Sequence, residues 1–158
     1  MYDYIRYPSP LGTLTLRAEG EALTAVVIEG QQYAALHLAG EGREQETPAL
    51  KKARLWLDRY FAGERPDPAE LTLSPAGTDF QKRVWRELAA IPYGETDTYG
   101  AIASRLGSSA RAVGSAVGRN PLSIVVPCHR VVAADGGLNG YAGGLDNKEK
   151  LLRLEGAL

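Results

Sequence analysis

The sequence predicts an α/β chain in two parts, with strands and one helix first and a mainly helical second half. Three observations carry this reading. Leu14, Leu16 and Ala18 alternate with Thr13, Thr15 and Arg17, which is the period of a half-buried strand. Glu64 to Ala69, with Pro66 and Pro68, then breaks the chain. Beyond it, apolar residues recur at helical spacing behind capping sequences such as Thr78-Asp79-Phe80-Gln81. We place the boundary between residues 1–74 and 75–158.

In the first part, Pro10-Leu11-Gly12 is a turn, and Leu23, Ala25 and Val27 continue the alternation after it. That predicts a hairpin around Glu19-Gly20-Glu21. Gly40 to Glu46 is polar and reads as a loop. Thr47 can cap a helix with Pro48 at its first position and Gly63 past its end. Leu50, Leu57 and Phe61 make its apolar stripe, joined by Trp56 and Tyr60, and core packing accounts for all of them. Leu71-Thr72-Leu73 reads as a further short strand.

In the second part, Phe80, Val84, Leu88 and Ile91 define one helix, stopped by Pro92-Tyr93-Gly94. Thr98 to Leu106 is a shorter helix closed by Gly107, and Ser108-Ser109 caps another from Ala110 to Arg119. Two short helices around a tight glycine-containing turn form a helix-turn-helix candidate. Ala110, Ala112, Gly114, Ser115, Ala116 and Gly118 make the last of these helices unusually small on its surface. Glycine inside a helix costs about 1 kcal/mol relative to alanine, so a close-approaching surface is expected, either another helix or a nucleic-acid groove. Leu122 to Val126 is apolar and β-branched and reads as a buried strand ended by Pro127. Val131-Val132 with Asp135-Gly136-Gly137 reads as another strand and turn, and Asn139 to Gly144 as a glycine-rich loop. Asp146-Asn147-Lys148-Glu149 reads as a second capping box, opening a final helix through Leu151, Leu152 and Leu154 to Glu155.

Composition narrows the functional classes. Hydrophobic residues make up 44% and charged residues 23%, an ordinary globular balance. No apolar run approaches the roughly 20 residues that cross a bilayer, and Met1-Tyr2-Asp3-Tyr4 shows no basic region followed by an apolar stretch, so no secretory signal is expected. A single cysteine excludes an internal disulfide and fits a reducing compartment. One Cys and two His leave little for a zinc site. The formal net charge is −1, yet residues 1–75 hold 8 basic and 11 acidic residues while residues 76–158 hold 10 and 8. This asymmetry points to the second part as the anion-facing one, though charge alone is accounted for better by scattered solvated residues.

Cys128 is the candidate nucleophile. A lone cysteine is most often a small buried hydrophobe, but this one follows a strand end, precedes His129, and is followed by a polar Arg130 that an inert core cysteine does not need. Neighbouring side chains on a strand point to opposite faces, so Cys128 and His129 can meet only where the chain bends into a turn. A thiol of ordinary pKa is only a few per cent thiolate at neutral pH. A base that removes its proton makes a soft nucleophile suited to an sp³ alkyl carbon.

From Gly77 to Gly156 the sequence resembles the O6-alkylguanine-DNA alkyltransferases. The matching motifs run Gly77-Thr78-x-Phe80-Gln81-x-x-Val84-Trp85, Ile91-Pro92-x-Gly94, Thr98-Tyr99, Arg111-Ala112-Val113-Gly114, Asn120-Pro121 and Pro127-Cys128-His129-Arg130-Val131. They end with Gly140-Tyr141-x-Gly143-Gly144, Lys148 and Leu151-Leu152-x-x-Glu155-Gly156. Each is weak alone; in order and nearly at the family's spacing they are highly specific. The resemblance implies an amino-terminal ribonuclease-H-like α/β domain and a carboxy-terminal, mainly α, winged helix-turn-helix-like domain.

It also implies roles. Cys128 would accept an alkyl group from O6-alkylguanine, and from O4-alkylthymine, in double-stranded DNA, once and irreversibly, after the nucleotide is flipped out. His129 would deprotonate it through a water that Glu155 orients. Asn120 would sit at a hinge between recognition helix and active-site strand. Arg111 would fill the gap left by the extruded base. Tyr99 would help rotate the nucleotide and donate to the guanine, or donate to the departing base. Ala110, Ala112 and Ser115 would line the minor groove with the Arg111 helix. Tyr141 would line the base pocket, where the carbonyls of Cys128 and Val131 would read the guanine amino group and the Ala142 amide would face O6. The turn between Gly107 and Arg111 is shorter than the family's. The thiolates of some relatives' metal site are missing, so no metal and no cofactor are expected, nor a membrane or an obligate protein partner. A cytoplasmic monomer is the expectation.

Three other readings compete. A non-catalytic lesion binder of the same fold lacks the acceptor cysteine that Cys128 supplies. A cysteine hydrolase brings its histidine from a distant part of the chain, and the only other histidine is His37. A transcriptional regulator needs base-reading side chains on its recognition helix, where Ala110 to Gly118 offers only Arg111.

Overall fold

Alternating side chains build the first sheet. β1 (Tyr2–Ser9), β2 (Gly12–Glu19) and β3 (Ala22–Ile28) pair antiparallel in the computed structural model, which describes residues 1–158. Leu14, Leu16 and Ala18 share one buried face with their partners Ile28, Val26 and Leu23, while Ala25 and Val27, opposite Arg17 and Thr15, are buried on the other, all at most 2% exposed. The hairpin turns at Gly20 as expected, with a register shift at Arg17/Ala18. β1 escaped the sequence reading because its burial does not alternate. Gly42–Glu44, expected as loop, is β4, parallel to β1, and the sheet order is β3-β2-β1-β4. All three of its residues are exposed, so no apolar period marks it. A side chain at Gly42 would run into the Tyr2 ring.

The short α1 (Ala34–His37) precedes β4, and α2 (Pro48–Phe61) follows it. Thr47 caps α2 by accepting from the Leu50 amide, and Gly63 leaves it at φ 86°. Leu50, Ala53, Trp56, Leu57 and Tyr60 are its buried stripe. Leu73 makes only an isolated parallel bridge to Leu23 in place of the expected strand.

The chain divides into two units: Met1–Ala76 with Pro121–Ser123, and Gly77–Asn120 with Ile124–Leu158. The excursion completes β3, since the Val26 amide donates to the Pro121 carbonyl and the Ser123 amide to that of Val26. Ser123 Oγ also donates to Gln31 Oε1 at 2.9 Å.

In the second unit, Thr78 and Gln81 form the expected capping box of α3 (Asp79–Ala89). α4 (Tyr99–Leu106), capped by Thr98, ends at left-handed Gly107, and Ser109 caps α5 (Ala110–Gly118). The Trp85 indole on α3 donates to the Ala116 carbonyl on α5 at 2.9 Å. β5 (Asp97–Thr98) and β6 (Val131–Val132) form a two-residue parallel ribbon. α6 (Leu145–Leu154) closes the chain.

Two further local expectations fail, both in the second half of the chain. Leu122 to Val126 is wholly buried but is no strand. Asn120 Nδ2 and the Cys128 amide both take the Val126 carbonyl, at 2.9 and 2.8 Å, closing a loop where a strand neighbour would have paired. Ile124 sits in that loop at φ 73°, a left-handed conformation costly for a β-branched residue. The second capping box is also absent. α6 starts at Leu145 behind Gly144, with Asp146 in its first turn and no side-chain cap. The left-handed Gly144 turns the chain directly into the helix, leaving Asp146 inside it.

Candidate active site

Pro127, at φ −81° and ψ 66°, ends the buried loop and turns the chain into a 3₁₀ turn over Cys128–Arg130. This is the bend that a Cys128–His129 pair requires. Cys128 is 3% exposed and His129 is sealed. Burial pushes the Cys128 thiol above its ordinary pKa; a hydrogen bond from Asn120, the charge of Lys148 and, more weakly, Tyr141 pull the other way.

Behind the thiol lies a buried ionic chain. His129 Nε2 meets Glu155 Oε2 at 2.7 Å. Arg130 grips the same carboxylate with a fork, Nε to Oε1 at 2.7 Å and Nη2 to Oε2 at 3.0 Å, and gives Nη1 to the Ile91 carbonyl at 2.7 Å. Burial raises the Glu155 carboxyl, but bonds from His129 and Arg130 outweigh it and hold it at about 2. An ionised Glu155 only accepts, so Nε2 carries the imidazole proton and Nδ1 presents its lone pair. That Nδ1 is buried and has no partner. Burial keeps the ring neutral, pushing its pKa below the ordinary value against the pull of Glu155. The imidazole is thus a neutral base with one open nitrogen. Glu155 thus holds the imidazole directly.

Lys148, on α6, is wholly buried and donates to the Val131 carbonyl at 2.6 Å and the Gly140 carbonyl at 3.1 Å. Burial lowers its pKa to about 8. Its Nζ lies 5.9 Å from the Tyr99 ring. Tyr99 opens α4 and donates its hydroxyl to the Asn139 carbonyl at 3.1 Å; burial and the Cys128 charge raise its pKa, so it stays a donor. The carbonyls of Cys128 and Val131 each already accept one internal hydrogen bond, from the Val131 amide and from Lys148. One lone pair on each remains.

Two family models together cover nearly the whole chain. A family model described as "6-O-methylguanine DNA methyltransferase, DNA binding domain" matches residues 79–157, and one described as its ribonuclease-like domain matches residues 2–75. The chain belongs to the O6-methylguanine DNA methyltransferase family.

Among relatives named methylated-DNA–protein-cysteine methyltransferase, the Haemophilus influenzae protein is 43% identical over 96% of this chain and 85% of its own length. The Methanosarcina acetivorans protein is 45% identical over 98% of both. The crystal structure of Mycobacterium tuberculosis OGT in complex with DNA superposes with a TM-score of 0.85 at 43% identity, covering 98% of this chain and 93% of that one. The expected fold class therefore holds, with a ribonuclease-like α/β unit followed by a mainly helical DNA-binding unit.

Within this methyltransferase fold, Cys128, His129, Glu155, Asn120, Tyr99 and Val131 surround one site through the bonds above. Tyr141 lies half-buried in the glycine-rich loop, near enough to lower the thiol's pKa slightly, and Ala142 lies half-buried beside it. Arg111, Ala110 and Ser115 are exposed and Ala112 half-buried on α5. Asn120 ties the end of α5 to the loop at Val126, since no active-site strand exists. Arg130 and Lys148 had no assigned role in the sequence reading. Their signal was present: Lys148, Leu151, Leu152 and Glu155 share one helical face, and Arg130 interrupts an otherwise apolar run.

Proposed function

We propose that this chain repairs alkylated DNA by direct reversal, moving a methyl or larger alkyl group from O6-alkylguanine, and from O4-alkylthymine, to Cys128. Methylated-DNA–protein-cysteine methyltransferase is the activity its relatives carry in name. The observation that carries the reading is the neutral His129, fixed by Glu155 with Nδ1 open, next to the only cysteine.

The thiol proton passes through a water to His129 Nδ1. The thiolate sulfur attacks the alkyl carbon, a carbon–sulfur bond forms, and the bond to O6 breaks with its electron pair left on the guanine. Tyr99, trading the Asn139 carbonyl for the base, donates to the departing guanine. The thioether does not revert, so each molecule acts once.

With Cys128 only 3% exposed, a base inside a stacked duplex cannot reach it, and flipping is required at a cost of a few kcal/mol. α5 supports minor-groove docking. A side chain added at Gly118 meets nothing, and one at Gly114 meets only the Tyr99 ring at 3.8 Å. No internal helix therefore demands these glycines, which leaves the groove as the surface they admit. Arg111 on the first turn fills the vacated stack. Residues 1–74 serve as the structural domain and 75–158 as the DNA-binding and catalytic one, in a cytoplasmic monomer without metal or cofactor.

The test incubates the protein with duplex carrying O6-methylguanine and weighs the Cys128 peptide. One added methyl per molecule is expected, and none in Cys128→Ser. Binding without mass gain in the wild type favours the non-catalytic lesion binder.

A further inference from the structure

We propose that Arg130 is a positioning residue for alkyl transfer, whose fork on Glu155 supplies the counter-charge that leaves His129 free to act as a base. The inference rests on the reading of Cys128 as acceptor.

A buried carboxylate must be paired with a cation. Glu155 is 4% exposed and touches two groups able to carry positive charge, His129 and Arg130. The guanidinium cannot lose its proton, and its two bonds to Glu155 satisfy the charge. The imidazole then needs only to donate Nε2–H, and Nδ1 keeps its lone pair. Without Arg130, the imidazole would be the sole cation in contact with Glu155. It would take up a second proton, and Nδ1 would become a donor, unable to accept from the thiol.

The surroundings leave no substitute. The groups facing His129 are Glu155 and Lys148 from α6, Arg130 along the same turn, and the neighbouring Cys128. Lys148 and Arg130 both oppose a charge on the ring, while Glu155 favours one. Lys148 is committed to the Val131 and Gly140 carbonyls. α3 meets the turn through the Ile91 carbonyl just past its end, and Arg130 occupies it. The Tyr93 ring lies 5.7 Å from the guanidinium. The guanidinium thus bonds Glu155 and Ile91 and acts on the thiol only through Glu155 and His129.

The experiment measures single-turnover methyl transfer from a saturating O6-methylguanine duplex across about pH 6 to 9. In Arg130→Gln the acid limb moves up through neutrality, far enough that the rate falls about tenfold at pH 7 and recovers toward wild type at pH 9. Arg130→Lys loses the fork but keeps the charge that opposes a second proton on the imidazole, and holds the limb within about 0.3 unit of wild type. Nitrogen-15 spectra of labelled histidine give the second readout. His129 is neutral and protonated on Nε2 in the wild type at pH 7, and imidazolium in Arg130→Gln. A rate loss equal at every pH, a neutral His129 in Arg130→Gln, or an imidazolium in the wild type overturns the proposal. If Arg130→Gln does not fold, the wild-type spectrum and the Arg130→Lys limb decide. A wild type that gains no methyl at Cys128 fails the function itself, while the spectra still report on Arg130.

Discussion

Lys148 has no exposed surface, and burying an ammonium group is expensive unless its donors are satisfied. Two of its three donors go to the carbonyls of Val131 and Gly140, tying β6 to the glycine-rich loop. Its charge also acts on Cys128, where it offsets part of the effect of burial on the thiol. The residue therefore has two separable effects, one mechanical and one electrostatic. Lys148→Met has similar length and no charge. It is expected to raise the thiol pKa by about one unit and slow alkylation of Cys128 by iodoacetamide about tenfold near neutral pH. The pH dependence of that alkylation checks it. An unchanged profile with a lower melting temperature would mean that the ammonium group serves only the loop.

Among the elements, α5 sets stability against function. Gly114 lies mid-helix, where alanine is favoured by up to about 1 kcal/mol, and the added methyl would make ordinary contact with Tyr99. Gly114→Ala is expected to raise the melting temperature by a few degrees, yet to weaken duplex repair severalfold while sparing reaction with free O6-benzylguanine. Arg111→Ala should show the same split between substrates without the gain in stability. Equal losses on both substrates would remove α5 from the DNA interface. The helices were legible because their ends carry chemistry: Thr47, Thr78 and Ser109 each accept a backbone amide where the sequence marks a cap. β4 was not, since its three residues are exposed and only backbone pairing defines it. Leu122 to Val126 misled because burial, not pairing, selects its apolar residues. At the site, the Cys128–His129 adjacency and the family motifs were legible. The Arg130 fork was not, because one strand-like reading cannot tell which side chain closes a buried carboxylate.

For the whole molecule, chain path and charge decide how acid acts. Pro121–Ser123 lies in the first unit while Asn120 and Ile124 on either side lie in the second, so neither unit is a continuous stretch that can be excised intact. The buried titratable chain belongs to the second unit alone. Glu155 falls from its ordinary 4.5 to about 2 on folding, and His129 also falls below its ordinary 6.5. For both, the unfolded chain binds more protons between the two values, so stability rises with pH across that window and is lost as pH falls. His129 contributes the first loss, beginning below its ordinary value, and Glu155 the second, from 4.5 down toward 2. The two tryptophans separate the units, Trp56 in the first and Trp85 in the second. In Trp56→Phe, the urea midpoint followed by Trp85 fluorescence is expected to fall steadily between about pH 6 and pH 3. His129→Gln in that background should flatten the upper part of the fall, leaving the Glu155 part. A midpoint constant from neutral to acid pH would mean that the carboxylate and imidazole titrate alike in folded and unfolded chains, and the buried ionic chain could not be what holds this unit's site in place.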